Sequence, residues 1–271
     1  MTEPRLSPFG RLLRQWRTLR GASQLQLATE AGTSTRHLSF VETGRSQPSR
    51  EMVLRLAEAL DVPLRERNVL LEAAGFASLY RETALGAPEL EPIGRVLDFL
   101  LERHEPFPAF LVDRCWRVLR ANRAAQRVFA RFTGPGDVWR ESPANLMRLT
   151  LHPEGFRPDI VNFEEVATWA LSGLQRDVAF AGRDPELAAL LDEMLGLPDL
   201  PERSRVPDLS RAPQPVLPLH LKREGTELRI FSVITTFATP RDVTLQDLRI
   251  ESFLPADAAS EAELRALAGE A

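Results

Sequence analysis

Residues 24–45, QLQLATEAGTSTRHLSFVETGR, constrain the fold of this chain more than any other stretch. They predict two short helices joined by a tight turn. Ser23 caps the first helix, and Gln26, three residues on, completes an S-x-x-Q capping box. Leu27 and Ala28 face inward, and Ala28 is small enough for a second helix to cross closely. Gly32 supplies the left-handed backbone that a sharp turn demands. Thr33 or Ser34 caps the next helix, whose Leu38 and Val41 share one face and meet Leu27 and Ala28. A small residue, a turn glycine and two later apolar residues at these offsets describe a helix-turn-helix that binds DNA.

The flanking sequence completes a small helical domain over residues 1–75. Ser7-Pro8 starts a helix, with Ser as cap and Pro at the first helical position. Leu12, Leu13, Trp16 and Leu19 give that helix an apolar face, and Gly21 ends it. Ser49 caps a fourth helix carrying Val53, Leu56, Ala57 and Leu60, and Pro63 opens a fifth that stops at Gly75. The second helix of the motif leaves Ser34, Thr35, Arg36, Ser39 and Phe40 at its start and on its outer face. Arg36 suits bidentate pairing with guanine, or alternatively a phosphate. Phe40 either touches a thymine methyl or packs on the fourth helix. In the polar loop Thr43–Pro48, Arg45 and the backbone amides nearby suit phosphate contact, and Thr43 is a further candidate for DNA binding.

Gln24, Ala28, Gly32, Leu38, Val41, Glu42, Gly44 and Arg45, followed by Pro48-Ser49, resemble the XRE type of helix-turn-helix found in phage repressors. That resemblance covers roughly residues 7–75. It implies a five-helix domain with Gln24 and the start of the second motif helix on DNA. It also implies that Arg17 lies near Glu42.

The net charge of −4 is unusual for a DNA binder, but the charge is unevenly placed. Residues 1–50 hold eight Arg against three Glu, whereas the chain beyond residue 75 is acidic. A basic head on an acidic body confines nucleic-acid binding to the head. No apolar run approaches the roughly 20 residues of a membrane helix. The Arg-rich N-terminus has no apolar core of a secretory signal. Cys115 is the only cysteine, so no internal disulfide forms, and a cytoplasmic location is expected.

Residues 76–92 read as a linker and residues 93–260 as a second domain, with 261–271 as a C-terminal tail. A helix is expected from Ile93 to Arg103, then a hairpin of Ala109–Asp113 and Trp116–Ala121. Asn122 caps a helix to Phe132, and Gly134-Pro135-Gly136 breaks it. Further helices are expected at Pro143–Leu151, Ile160–Gly173 and Pro185–Leu195. A long proline-rich connection covers residues 197–218. Strands follow at Val216–Lys222, Glu227–Phe237 and Leu248–Leu254. Glu227–Phe237 is apolar on both faces, as a central strand covered on both sides or lining a cavity. The body is therefore α/β, one mixed or antiparallel sheet with helices on a face, in a PAS-like arrangement.

Pro106 to Asn122, Asn145 to His152 with Asn162, and TPRDVTLQDLRIESFLPAD at 239–257 are similar to the ligand-binding half of MmyB-like regulators. The resemblance implies an XRE head and a PAS-like sensor that holds a long apolar molecule such as a fatty acid.

No H-E-x-x-H, C-x-x-C, G-x-S-x-G or phosphate loop is present, and the four histidines share no metal spacing. Neither catalysis nor a metal is expected. The body is read as a binding domain, with a bound acyl ligand in place of a cofactor. Phe110, Val112, Leu146, Phe163, Trp169, Phe231 and Val233 are candidate lining residues, or else members of a filled core. Asn145, Arg148 and Asn162 are candidates for a polar end, Arg148 pairing a carboxylate. The expected protein is a homodimeric, one-component transcription regulator on a double-stranded operator. The alternative is a constitutive DNA binder whose body serves only dimerisation.

Overall fold

A computed structural model describes residues 7–133, 143–181, 184–204 and 218–269. It contains two compact units. The first runs through Thr83 and takes in residues 239–246 from late in the chain.

Five helices build the first unit: α1 (Pro8–Leu19), α2 (Gln24–Glu30), α3 (Thr35–Glu42), α4 (Arg50–Ala59) and α5 (Leu64–Ala73). Side-chain oxygens cap four of them. Ser7, Ser23, Ser34 and Ser49 each accept a backbone N–H from the first turn, and Ser23 with Gln26 forms the full capping box. Each such cap contributes about 1 kcal/mol. The core joins Phe9, Leu13 and Trp16 of α1 to Leu27, Leu38, Val53, Leu56 and Leu70, all nearly fully buried. Gly32 has φ +64° in the α2–α3 turn. Gly10 meets a different demand. A Cβ there would lie 2.2 Å from the Glu42 carbonyl oxygen, so α1 and the end of α3 touch only because this position has no side chain.

The unit extends beyond Gly75, and the first half of the expected linker belongs to it. Phe76 packs on the core. The Asn68 side chain accepts from the Leu79 and Tyr80 amides and donates to the Tyr80 carbonyl. Residues 239–246 are held in the same unit. Thr83 Oγ1 donates to Asp242 Oδ2 at 2.6 Å, the Val243 amide donates to the Arg81 carbonyl, and the Leu64 amide donates to Gln246 Oε1.

The second unit contains α6 (Glu91–Arg103), β1 (Ala109–Val112), β2 (Val118–Ala121), α7 (Arg123–Phe132), α8 (Leu146–Leu151), α9 (Phe163–Phe180) and α10 (Pro185–Leu195). After them come β3 (Leu219–Arg223), β4 (Thr226–Thr236), β5 (Arg249–Pro255) and α12 (Ala258–Ala268); the short α11 (Val243–Asp247), between β4 and β5 in sequence, belongs up to Gln246 to the first unit. The strands lie in the order β2-β1-β5-β4-β3, and every pair is antiparallel, one of the two sheet types expected.

Side chains alternate across this sheet with period two. Phe110, Ser232, Glu251 and Phe253 share a cavity with residues of α8 and α9, whereas Leu111, Thr235 and Ile250 meet Leu97 and Leu100 of α6. Helices therefore cover both faces, not one.

Four further expectations need correction. Most of the expected tail is helical: Ala258–Ala268 is a helix packed on β4 and α7, capped by Asp257 and anchored by buried Ser260 and Leu264, and residues 270–271 lie outside the described residues. β4 is covered only in its first half, because Val233 and Ile234 are 44% and 42% exposed. α8 begins at Leu146, not Pro143, because Asn145 caps it, and α9 runs on to Phe180. Gly134-Pro135-Gly136, Pro207, Pro213, Pro215 and Val216 lie outside the described residues. Among the described residues no helix is long and apolar enough to cross a membrane.

Candidate functional site

Two sites emerge, one in each unit. In the first, α3 presents its N-terminal end and outer face. Ser34, Arg36 and Arg45 are exposed, and Thr35, Ser39 and Thr43 are half-exposed beside them. Phe40 is half-buried, with the Arg36 guanidinium 5.5 Å from its ring centre. That stacking pre-orients a cation on the outer face of α3. Thr43 caps α3, its hydroxyl bonded to the Ser39 carbonyl at 2.7 Å.

Beneath this surface Glu42 organises the motif. It is 2% exposed and receives Arg17 Nε at 2.6 Å, Arg17 Nη2 at 3.2 Å and Gln24 Nε2 at 2.7 Å. Arg17 also donates to the Ala22 carbonyl at 3.0 Å. One buried carboxylate thus ties α1 and the start of α2 to α3. Charge-assisted, bidentate bonding fixes the angle at which α3 is offered. Gln24 therefore has a structural partner through its amide nitrogen.

In the second unit a cavity of about 90 Å³ lies between the sheet and α8 and α9. Phe110, Leu146 and Trp169 line it, and Trp169, 46% exposed, marks where it meets the surface. The other candidates stand elsewhere. Val112 is fully buried but not on the wall. Phe231 and Val233 fall on the opposite face of β4 from Ser232. Phe163 packs under the Arg157 guanidinium at 4.5 Å.

The expected polar end is dispersed. Asn145 caps α8 and donates to the Cys115 carbonyl. Asn162 bridges the Pro218 carbonyl and the His220 amide, holding the start of β3. Arg148 pairs through Nε and Nη2 with Glu193 of α10 at 2.7 and 2.8 Å. Arg148 is thus held by a carboxylate from 45 residues away in sequence and does not stand on the cavity wall.

The polar groups that do line the cavity are acidic and neutral. Glu251, on β5, is 6% exposed, and burial pushes its carboxyl up to about 7 despite a hydrogen bond from Ser232 and the nearby charge of Arg249. Trp116, 5% exposed, lines the cavity with a buried indole N–H that has no hydrogen-bond partner among the described residues. A buried donor left so costs about 1–3 kcal/mol. Trp116 also has φ +62°, a region bulky residues rarely adopt.

Sequence patterns hide Trp116 inside an expected strand and Glu251 as an ordinary alternating polar residue. A larger hollow of about 910 Å³ lies between α6 and α7. It is a charged groove in which Arg120 pairs with Asp98, Glu105 accepts from the Arg123 and Ala124 amides, and Arg127 donates to the Ala268 carbonyl. Among the described residues no group of three His, Cys, Asp or Glu is placed to hold a metal. Buried Cys115 has its thiol pushed up by desolvation, away from reactivity.

The family model of the MmyB-like transcription regulator ligand binding domain matches residues 93–267, and a helix-turn-helix domain model matches residues 8–70. No curated protein matches the chain. One similar solved structure, described as an RNA-binding light-oxygen-voltage receptor, is 11% identical over 97% of this chain with a TM-score of 0.25. This chain spans 63% of that one, and at that score the likeness carries no argument.

Proposed function

The chain belongs to the family of MmyB-like transcription regulators, and from that premise we propose that it is a one-component regulator of the cytoplasm. Its head binds an operator in double-stranded DNA through Arg36, Ser34, Thr35 and Ser39, with Thr43 and Arg45 on the phosphates. Its body takes a small, mainly apolar molecule, of the alkyl or acyl class that includes fatty acids, into the cavity beside Glu251. Ligand binding changes the affinity for DNA.

One observation carries this proposal. A single chain combines an open face on α3 with a separate apolar cavity whose wall carries the buried Glu251 carboxyl and a Trp116 N–H with no partner among the described residues. A filled core would have neither. A fatty acid enters only with its carboxyl group protonated or held away from Glu251, since two buried carboxylates repel.

The working unit is proposed to be a homodimer, because motifs of this type read paired half-sites. Val96, Phe99 and Leu100 on α6 are each more than two-fifths exposed and offer an apolar strip for a second copy. That strip equally favours a second reading, a constitutive DNA binder whose body serves only to dimerise. Native mass spectrometry of the purified chain, followed by DNA titration with and without any small molecule released from it, separates the two. A ligand-dependent change in DNA affinity supports the sensor. A dimer with no bound molecule and no such change supports the constitutive reading.

A further inference from the structure

This inference rests on the ligand-binding role of the body and concerns the head group that the cavity takes. Glu251 stands at the middle of β5, opposite Phe110 of β1 and Ile234 of β4, so its side chain rises from a largely apolar stretch of sheet. The charged group that faces it, Arg249, is two residues away on the same strand face. Arg249 is already held by Asp177 of α9 at 2.7 Å and lies 5.3 Å over the Trp116 ring. The Glu251 carboxylate therefore keeps acceptor capacity inside the cavity with no dedicated cation. Ser232 donates one hydrogen bond to it, and a carboxylate accepts several. The second polar group, the Trp116 indole, adds a donor that seeks an oxygen.

From this arrangement we propose that the cavity selects alkyl compounds by a hydrogen-bond-donating head, with a cationic amine favoured over a carboxylate of the same chain length. The ammonium takes the free acceptor positions of Glu251, and an oxygen substituent near the amine satisfies the Trp116 N–H. The chain lies against Phe110, Phe253 and Leu146 and leaves past Trp169. A carboxylate head meets a like charge and gains only the indole.

The test uses the full chain and three probes of equal chain length: hexylamine, hexanol and hexanoate. Dissociation constants are measured by calorimetry at pH 8, where Glu251 is ionised, for wild type and Glu251→Gln. Hexylamine should bind wild type at least about tenfold more tightly than hexanoate, the factor that one pKa unit represents. In Glu251→Gln that preference should fall to within about threefold, mainly by loss of amine affinity. A measurement on wild type alone gives a second check. Hexylamine binding should strengthen between pH 6 and pH 8, as Glu251 loses its proton near 7. Equal or tighter binding of hexanoate, or an amine preference that survives Glu251→Gln and ignores pH, overturns the head-group proposal and leaves the ligand-binding role standing. If none of the three probes binds either protein, the ligand-binding role falls too, and the proposal with it.

Discussion

Arg17 of α1 grips Glu42 of α3 with two nitrogens, Nε at 2.6 Å and Nη2 at 3.2 Å, and Gln24 closes the third side of that carboxylate. Removing one partner of a buried pair leaves the other charge uncompensated, at about 3–5 kcal/mol. Arg17 retains the Ala22 carbonyl and some solvent, so Glu42→Ala should cost about 3 kcal/mol in urea unfolding. Glu42→Gln keeps hydrogen bonds and should cost less. Equal stability of wild type and Glu42→Ala would show that the pair is incidental.

Gly10 sits against the far side of the same residue. Gly10→Ala places a methyl group 2.2 Å from the Glu42 carbonyl oxygen, so α1 must move outward. Overpacking of this kind costs about 1–3 kcal/mol. Hydrogen exchange should show faster opening of α1 amides. Unchanged exchange would mean the two helices have slack between them.

Glu251 makes the body sensitive to pH. Its folded carboxyl titrates at about 7 against an ordinary 4.5, so between those values the folded chain holds a proton that the unfolded chain has released. Stability from this group is complete below pH 4.5 and declines as pH rises to about 7, by an amount on the order of 3 kcal/mol. Glu251→Gln should remove that decline and leave the body more stable than wild type at pH 8. Thermal unfolding across this range checks it, and parallel curves for the two proteins would count against a buried, proton-binding carboxyl.

Much of the head was legible because its signals are local. Ser7, Ser23, Ser34 and Ser49 cap helices a few residues away, and Gly32 turns the chain where a left-handed residue is required. The succession of strands and helices along the body followed from short apolar runs and from Asn122. What escaped depends on distant pairing. Arg148 looks like a free cation until Glu193 arrives from α10. Glu251 looks exposed until β1 and β4 close around it. α12 reads as a polar tail because Leu264 is its one fully buried apolar side chain, and its partners on β4 and α7 are invisible to local sequence.

Ser232 is the small residue opposite Phe253 on the cavity wall. Ser232→Trp should fill the cavity and abolish stabilisation by any bound alkyl compound. For the wild type that stabilisation is about 2.7 kcal/mol at a hundredfold excess over the dissociation constant. Thermal shift measurements compare the two. A variant that still responds would place the ligand elsewhere.

The most direct measurement of the whole account is selection of binding sites from a random duplex library with the full chain, followed by titration of the enriched duplex. The account predicts one shared, two-fold related motif for wild type. Arg36→Ala should lose about 1–3 kcal/mol on it with relaxed preference, while Arg45→Ala should weaken all sequences alike and lower the salt slope. A wild-type selection that returns no shared motif, or an Arg36→Ala variant with unchanged affinity and preference, would contradict it.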